Sequence, residues 1–498
     1  MHNKIETELE TNIRYIESRF EGCADAVMRR ILVGDEKLGM YVVYMDSMYD
    51  RDFIDGVVLK SLLFDRIQLP DQNAGQVIFN KYLATADVKE TNRMEMLIDE
   101  VLKGNTAIFI DGMAKAMIVS SKNLPGRGVS EAETEVSVRG SKESFTESFR
   151  VNTVLIRRRI RDTRLKSRQM TIGVRSKTDV ALMYMEDLVH EELLEEIKNR
   201  LEEYKIDGIL DSGMLEQLTE KPWYSPFPQY QVTERPDRTA LELLNGKIAL
   251  LCDNSPSALI LPGAFSSFME SSEDWYHHFE MATFLRILRY LALLTATLLP
   301  GLYLAVIRFH TQILPTNLLL SFADAREGVP FSSVTELILL ELAFELIREA
   351  GVRVPGALGN AIGIVGGLII GDAAVSANLV SPIVVMIVAL TALGSMVIPD
   401  EEFAAAFRLL KYGFLILGGY LGIYGVVLGI YLTVSHLSGL LSFGIPYLVP
   451  FVEEQSVRQT GNGIFRIPFK ARKYRPVYAR KEQSIRLRKI TDRKERES

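Results

Sequence analysis

The sequence predicts an α/β cytosolic part of two related subdomains, followed by an all-α multi-pass transmembrane domain. Three observations carry that prediction. Charged residues are dense over the first 280 positions, whereas long stretches between 284 and 450 are nearly free of them. Two portions of the charged half repeat one pattern of apolar and polar residues. Several apolar runs in the second half approach the length of about 20 residues that a helix needs to cross a bilayer.

In the first half, "YVVYMDSMYDRDFIDGVVLKSLLF" followed by "TAIFIDGMAKAMIVS" lines up with "ALMYMEDLVHEELLEEIKNRLEEY" followed by "KIALLCDNSPSALILP". Each portion reads as an apolar strand, an acidic turn and an amphipathic helix, then a hairpin turning at Asp111-Gly112 or Asp253-Asn254. This places one α/β subdomain over residues 1–125 and a second over 150–280. The polar linker between them, 126–149, suits an exposed boundary. The start "MHNKIETELE" has no basic stretch followed by an apolar core, so no cleavable secretory signal is expected and the first domain is expected in the cytosol. Cys23 and Cys252 stand far apart in the chain, which fits a reducing compartment and offers no zinc or disulfide framework.

The membrane half is expected over 281–451 with four to six helices. Residues 290–307 carry no charge, and further apolar runs cover 357–371, 373–399 and 412–434. The stretch 357–399 is too long for one crossing, and "NLVSP" before Pro382 is the expected divide. Segments 334–350 and 437–451 are left open as crossings. Basic residues favour the cytoplasmic side, so the basic tail over 452–498 and the signal-less first domain both belong inside, which requires an even number of crossings.

Within "SSVTELILLELAFELIREAG", Ser333 and Glu336 have capping-box spacing, and Arg348 with Gly351 fits a normal helix stop. Glu341, Glu345 and Glu349 recur every four residues and share one helix face. A charge facing lipid at mid-bilayer costs about 2.5–3.5 kcal/mol, so this face needs water, a partner cation or the headgroup zone. Gly359, Gly363, Gly367 and Gly371 form a stripe that is either a helix-packing seam or a pore lining. The basic run "RRRIRDTRLKSR" over 157–168 lacks interleaved aromatic residues and reads as a charge interface rather than a nucleic-acid site. The tail is the better candidate for contact with membrane lipid. Phosphate loops, HExxH, GxSxG and Cys/His clusters are absent from the sequence, so no catalysis, cofactor or metal is expected.

Several blocks of the sequence resemble one family. "GSKESFTESFRVNTVLIRRRIRDTRLKSRQMTIGVRSKTDVALMYME", "SPFPQYQVTERPDRTALELLNGKIALL", "AREGVPFSSVTELILLELAFELIREAGVRVP", "VSPIVVMIVALTALGSMVIP" and "SFGIPYLVP" are similar to the A subunit of GerA-type spore germination receptors. The resemblance covers roughly residues 135–450. It implies a multi-pass protein of the spore inner membrane, working with a permease-like B subunit and a lipoprotein C subunit, which oligomerises and passes ions or transduces a nutrient signal. A secondary transporter with substrate bound among its own helices, or a non-conducting scaffold, are the alternatives.

Under that resemblance, Glu341, Glu345 and Asp372 are the expected ion path. Three departures from the family pattern stand out. Ser257 replaces the usual aromatic in "SPSAL", Asp372 follows "IG" where an amide is usual, and "DEE" occupies 400–402.

Overall fold

The computed structural model describes residues 4–33, 38–50, 52, 54, 87–123, 135, 139–352, 357–452 and 463–487. The chain divides into two compact units: Met1–Trp223 with Tyr230–Pro262 and Lys470–Ser498, and Tyr224–Gln229 with Gly263–Phe469. The first is α/β and the second is helical, as the charge distribution predicts.

The α/β unit contains the same fold twice. The first copy runs α1 (Leu9–Arg19), β1 (Ala26–Val33), β2 (Leu38–Met45), β3 (Val88–Thr91), α2 (Met94–Leu102), β4 (Thr106–Ile110) and β5 (Ala116–Val119). The second runs α3 (Phe149–Arg157), β6 (Leu165–Ile172), β7 (Thr178–Met185), α4 (Glu191–Glu202), α5 (Ser212–Thr219), β8 (Gln231–Thr233), α6 (Pro236–Leu244), β9 (Ile248–Cys252) and β10 (Ala258–Leu261). The sheets have the orders β1-β2-β4-β5-β3 and β6-β7-β9-β10-β8, so every strand has a counterpart at the same place. The helix expected after Asp50 in the first copy lies outside the described residues.

Continuous apolar runs form these strands because both faces are covered. In β2, Tyr41, Val43 and Met45 pack with Leu9, Ile13 and Leu97 of α1 and α2. Met40 and Val42 point the other way, into a cluster with Ile31, Ile108 and Val119. The predicted hairpins are present, with positive φ at Gly112 (81°) and Asn254 (66°). Polar details repeat as well. The Asp111 carboxylate accepts the Leu9 N–H at 3.2 Å, and Asp253 accepts that of Phe149 at 3.3 Å. Asn12 brackets Glu6 with two backbone hydrogen bonds of 3.0 and 2.7 Å, and Asn152 brackets Thr146 at 2.8 and 2.6 Å.

The basic run is consumed inside the unit. Arg157, 1% exposed, donates to both oxygens of Asp25 at 2.6 and 2.9 Å and so joins the two copies. Arg158 and Arg159 pair with Glu143, and Arg164 with Asp162 and Asp187. The tail stretch 470–487 packs against the second copy. The Arg480 N–H donates to the Leu188 carbonyl at 2.9 Å, and its guanidinium pairs with Glu191 at 2.9 Å. Arg475 donates to the Leu244 carbonyl at 3.2 Å, and the Lys247 ammonium stands 4.7 Å over the Tyr478 ring.

The helical unit contains α7 (Phe279–Phe309), α8 (Thr316–Asp324), α9 (Ser333–Val352), α10 (Ala357–Ser376), α11 (Pro382–Met396), α12 (Glu401–Leu421) and α13 (Ile423–Gly439). The 357–399 run divides before Pro382, with Asn378 at φ 52° in the turn. One expectation needs correction, and one segment left open has a defined form. The 412–434 run is not one span: the chain reverses at Gly422, whose φ of 65° suits glycine, and α13 turns back along α12. Segment 437–451 does not continue as a helix beyond Gly439. It forms the hairpin of β11 (Leu441–Ser442) and β12 (Ile445–Pro446), because Phe443 and Gly444 both hold positive φ, as a tight hairpin turn requires.

Among the described residues, α7 and α12 are the helices long and apolar enough to cross a membrane. At about 1.5 Å per residue, their 31 and 21 residues exceed or match a hydrocarbon core of about 30 Å. They touch backbone to backbone. A Cβ on Gly301 would stand 2.5 Å from the Phe414 carbonyl oxygen, and one on Gly418 would run into the Gly301 carbonyl. This is the close approach that small residues permit where lipid offers no hydrophobic drive.

Candidate ion-pair site in the helical unit

The site is assembled from three helices. Four-residue spacing puts Glu341 and Glu345 of α9 on one face. Opposite them α12 contributes Lys411, set in the otherwise apolar run "LLKYGFLIL", and α11 contributes Thr391 and Ser395. Glu341 is 2% exposed and Lys411 4%. The Lys411 ammonium lies 2.5 Å from Glu341 Oε2, and the Thr391 hydroxyl donates to Glu341 Oε1 at 3.0 Å. Both carboxylate oxygens are therefore satisfied, which a buried charge needs if its desolvation is to be offset.

Glu345 forms the wetter side of the cluster. Lys411 Nζ stands 3.6 Å from Glu345 Oε1, and Arg348 pairs with Glu345 at 3.1 Å while donating to Ser395 at 3.0 Å. One ammonium thus faces two carboxylates on successive turns of a helix. Thr391 and Ser395 supply neutral polar contacts from α11.

The other predicted residues lie elsewhere. Asp372 is exposed on α10. Gly367 packs against the Phe344 ring of α9, 3.1 Å from the position of its missing Cβ, and Gly371 against Val385 of α11 at 3.2 Å. Gly359 and Gly363 lie on α10, but their surroundings are outside the described residues. Asp400 is the N-cap of α12, with its carboxylate accepting the Phe403 N–H at 2.9 Å, so the acidic "DEE" is placed where helix N-termini favour negative charge.

The expected cap of α9 is corrected. Ser332, not Ser333, precedes the first helical residue, and its hydroxyl accepts the Thr335 N–H at 3.3 Å. Ser333 is turned to accept from Arg326 instead. Glu336 is completely buried and does not reach back to the helix start. It pairs with Arg326 at 3.0 Å and accepts the Ser381 N–H at 3.0 Å, pinning the start of α11 to α9. The box fails because a half-buried guanidinium and an orphan N–H at the start of another helix outcompete a local bond open to solvent.

Lys411 is the functional candidate that reasoning on the carboxylates alone missed. Its signal was present in the sequence: a single lysine with apolar residues on both sides, in a helix that passes for a span, needs a buried partner. The spacing of Glu341 and Glu345 could not say which helix supplies it.

The chain matches the family described as Bacillus/Clostridium GerA spore germination protein over residues 14–478. It is 39% identical over 483 residues to spore germination protein KA of Bacillus subtilis (strain 168), an alignment covering 97% of this chain and 88% of that protein. Spore germination protein GerLA of Bacillus cereus is 35% identical over 460 residues, covering 92% of this chain and 93% of its own. The N-terminal domain of the A subunit of the Bacillus megaterium spore germinant receptor GerK3, known from a crystal structure, is 32% identical; the match covers 53% of this chain and 97% of that one, with a TM-score of 0.42. The family match takes in both copies of the α/β fold and the helices that hold Glu341 and Lys411: the chain belongs to the GerA spore germination protein family.

Proposed function

We propose that the chain is the A subunit of a nutrient germinant receptor in the spore inner membrane, assembled with a permease-like B subunit and a lipoprotein C subunit. Several copies associate and pass ions when nutrient is sensed, and the subunit itself catalyses no reaction. The supporting observation is the buried Glu341–Lys411 pair, with Glu345 one helical turn away. A scaffold would be served as well by apolar residues at these positions, because buried pairs replaced by well-packed apolar side chains often cost nothing in stability. In the resting subunit the lysine neutralises Glu341. When the helices shift, Lys411 moves to Glu345 and frees a carboxylate that attracts cations.

The test is monovalent cation flux in vesicles carrying the complete receptor, recorded on addition of nutrient. Glu341→Gln is expected to lower the flux at least tenfold, and Lys411→Met to produce flux without nutrient. Unchanged flux in the double variant Glu341→Gln/Glu345→Gln removes these carboxylates from the mechanism. Nutrient accumulation without current favours a transporter instead.

A further inference from the structure

We infer that the second α/β copy carries a docking slot for a turn, and that residues 478–480 of the chain's own C-terminal region are its occupant. The duplication supplies the argument. Met48 and Leu188 are equivalent positions: each follows β2 or β7 by three residues and donates its N–H to the carbonyl of that strand's last residue, Met45 or Met185, at 3.3 and 3.1 Å. Gly104 and Gly246 are equivalent too. They follow α2 and α6 with φ of 96° and 93°.

In the first copy these two positions are covered by the chain's next few residues after β5. The Asn123 N–H donates to the Met48 carbonyl at 3.0 Å, and the Lys122 side chain lies 3.6 Å from where a Cβ on Gly104 would be. In the second copy the chain cannot do this, because after β10 it continues from Pro262 into the helical unit. The tail takes over instead. The Arg480 N–H donates to the Leu188 carbonyl at 2.9 Å, and the Ala479 Cα stands 2.7 Å from the Cβ position of Gly246. Tyr478 and Ala479 are each 6% exposed. Asn123 and Arg480 therefore make the same hydrogen bond in the two copies, one from a neighbouring residue and one from a segment more than 200 residues further along the chain.

The slot binds by a backbone carbonyl and by the absence of a side chain at Gly246, and its occupant is a turn closed by the Ala479 N–H, which donates to the Pro476 carbonyl at 3.2 Å, with a small residue at the contact. Arg480, which reaches Glu191, and Tyr478, which lies under Lys247, flank that small residue and fix the register. The helical unit is thereby an insertion between β10 and the strap that completes the same subdomain. Taken with the membrane reading proposed above, on which this step rests, the insertion begins and ends on one face and crosses an even number of times.

The test uses the full-length chain in membrane vesicles. Trypsin is expected to spare Arg475 and Arg480 in the unaltered chain. Ala479→Asp, which puts a carboxylate into the slot, is expected to raise cleavage at both at least tenfold. The Arg480 amide of the unaltered chain is expected to be protected from hydrogen exchange, a reading that does not depend on how the variant folds. Equal cleavage of the two forms, or an Arg480 amide that exchanges like a free peptide, overturns the slot.

Single-cysteine variants at Ser18 and Gln483 should label with an impermeant maleimide from the same side of sealed vesicles, and labelling from opposite sides overturns the assigned occupant. Release of the chain from vesicles by carbonate would sink the membrane reading while leaving the protection result to stand for the slot.

Discussion

The α/β unit and the helical unit each bury an ion pair, and they compensate it by different chemistry. Arg157 meets Asp25 with two hydrogen bonds from a planar guanidinium fork, which fixes both side chains in one geometry. Lys411 meets Glu341 as a compact charge on a flexible stem, with a second carboxylate, Glu345, already 3.6 Å away. The first arrangement has one good state and suits a permanent lock between two copies of a fold. The second sets one ammonium between two carboxylates, the arrangement on which the switch proposed above rests.

That contrast breaks most visibly at Asp25. Asp25→Ala leaves a fully buried guanidinium without its partner and should cost about 3–5 kcal/mol, seen as a large fall in the thermal midpoint of the purified chain. Lys411→Met should cost less, about 1–3 kcal/mol, because Glu341 keeps the hydrogen bond from the Thr391 hydroxyl. Adding Glu341→Gln to Lys411→Met should restore most of that loss in the same measurement. If the double variant remains as unstable as the single one, the pair is not the source of the cost.

The duplication allows a finer comparison. Asp111→Ala and Asp253→Ala each remove a carboxylate from the start of a helix and should each cost about 1 kcal/mol in denaturant unfolding. Strongly unequal losses would mean that the two copies no longer use this bond alike. The smallest effect is expected at the thiols. Burial pushes the Cys23 thiol up, and burial with the charges of Asp211 and Asp253 pushes Cys252 up to about 12. Iodoacetamide at pH 8 should therefore leave both unmodified until the chain is unfolded.

Much of the α/β fold was legible, because apolar strand runs, turn residues and the internal repeat are local signals that sum over long windows. "YVVYMD" against "ALMYME", with the hairpins that follow each, led to the expectation of two copies, and the structure gives them one strand order. The helical part was legible in its apolar runs but not in its reversals. Gly422 sits in a stretch as apolar as a continuous span, and only its φ of 65° shows where the chain turns back. The charged site was half legible. Two carboxylates four residues apart could be seen to need a counter-charge, while the choice of Lys411 depends on which helices pack together. Ser333 and Glu336 mark the same limit from the other direction. Their spacing satisfied a local rule, and Arg326 together with the Ser381 N–H, 45 residues from Glu336, overrode it.

The meeting of Gly301 and Gly418 restricts how the helical unit can work. Two backbones in contact leave room for hydrogen atoms alone, so sliding α7 past α12 by even one residue would drive a full side chain into a peptide group. The pair behaves as a keyed shaft, free to tilt or turn as one piece and barred from telescoping. On the switch reading proposed above, motion that separates Lys411 from Glu341 falls to α9, because α11 is keyed to the same shaft where a Cβ on its Gly394 would stand 2.8 Å from the Ala292 carbonyl oxygen of α7; the glycine contacts are its bearing.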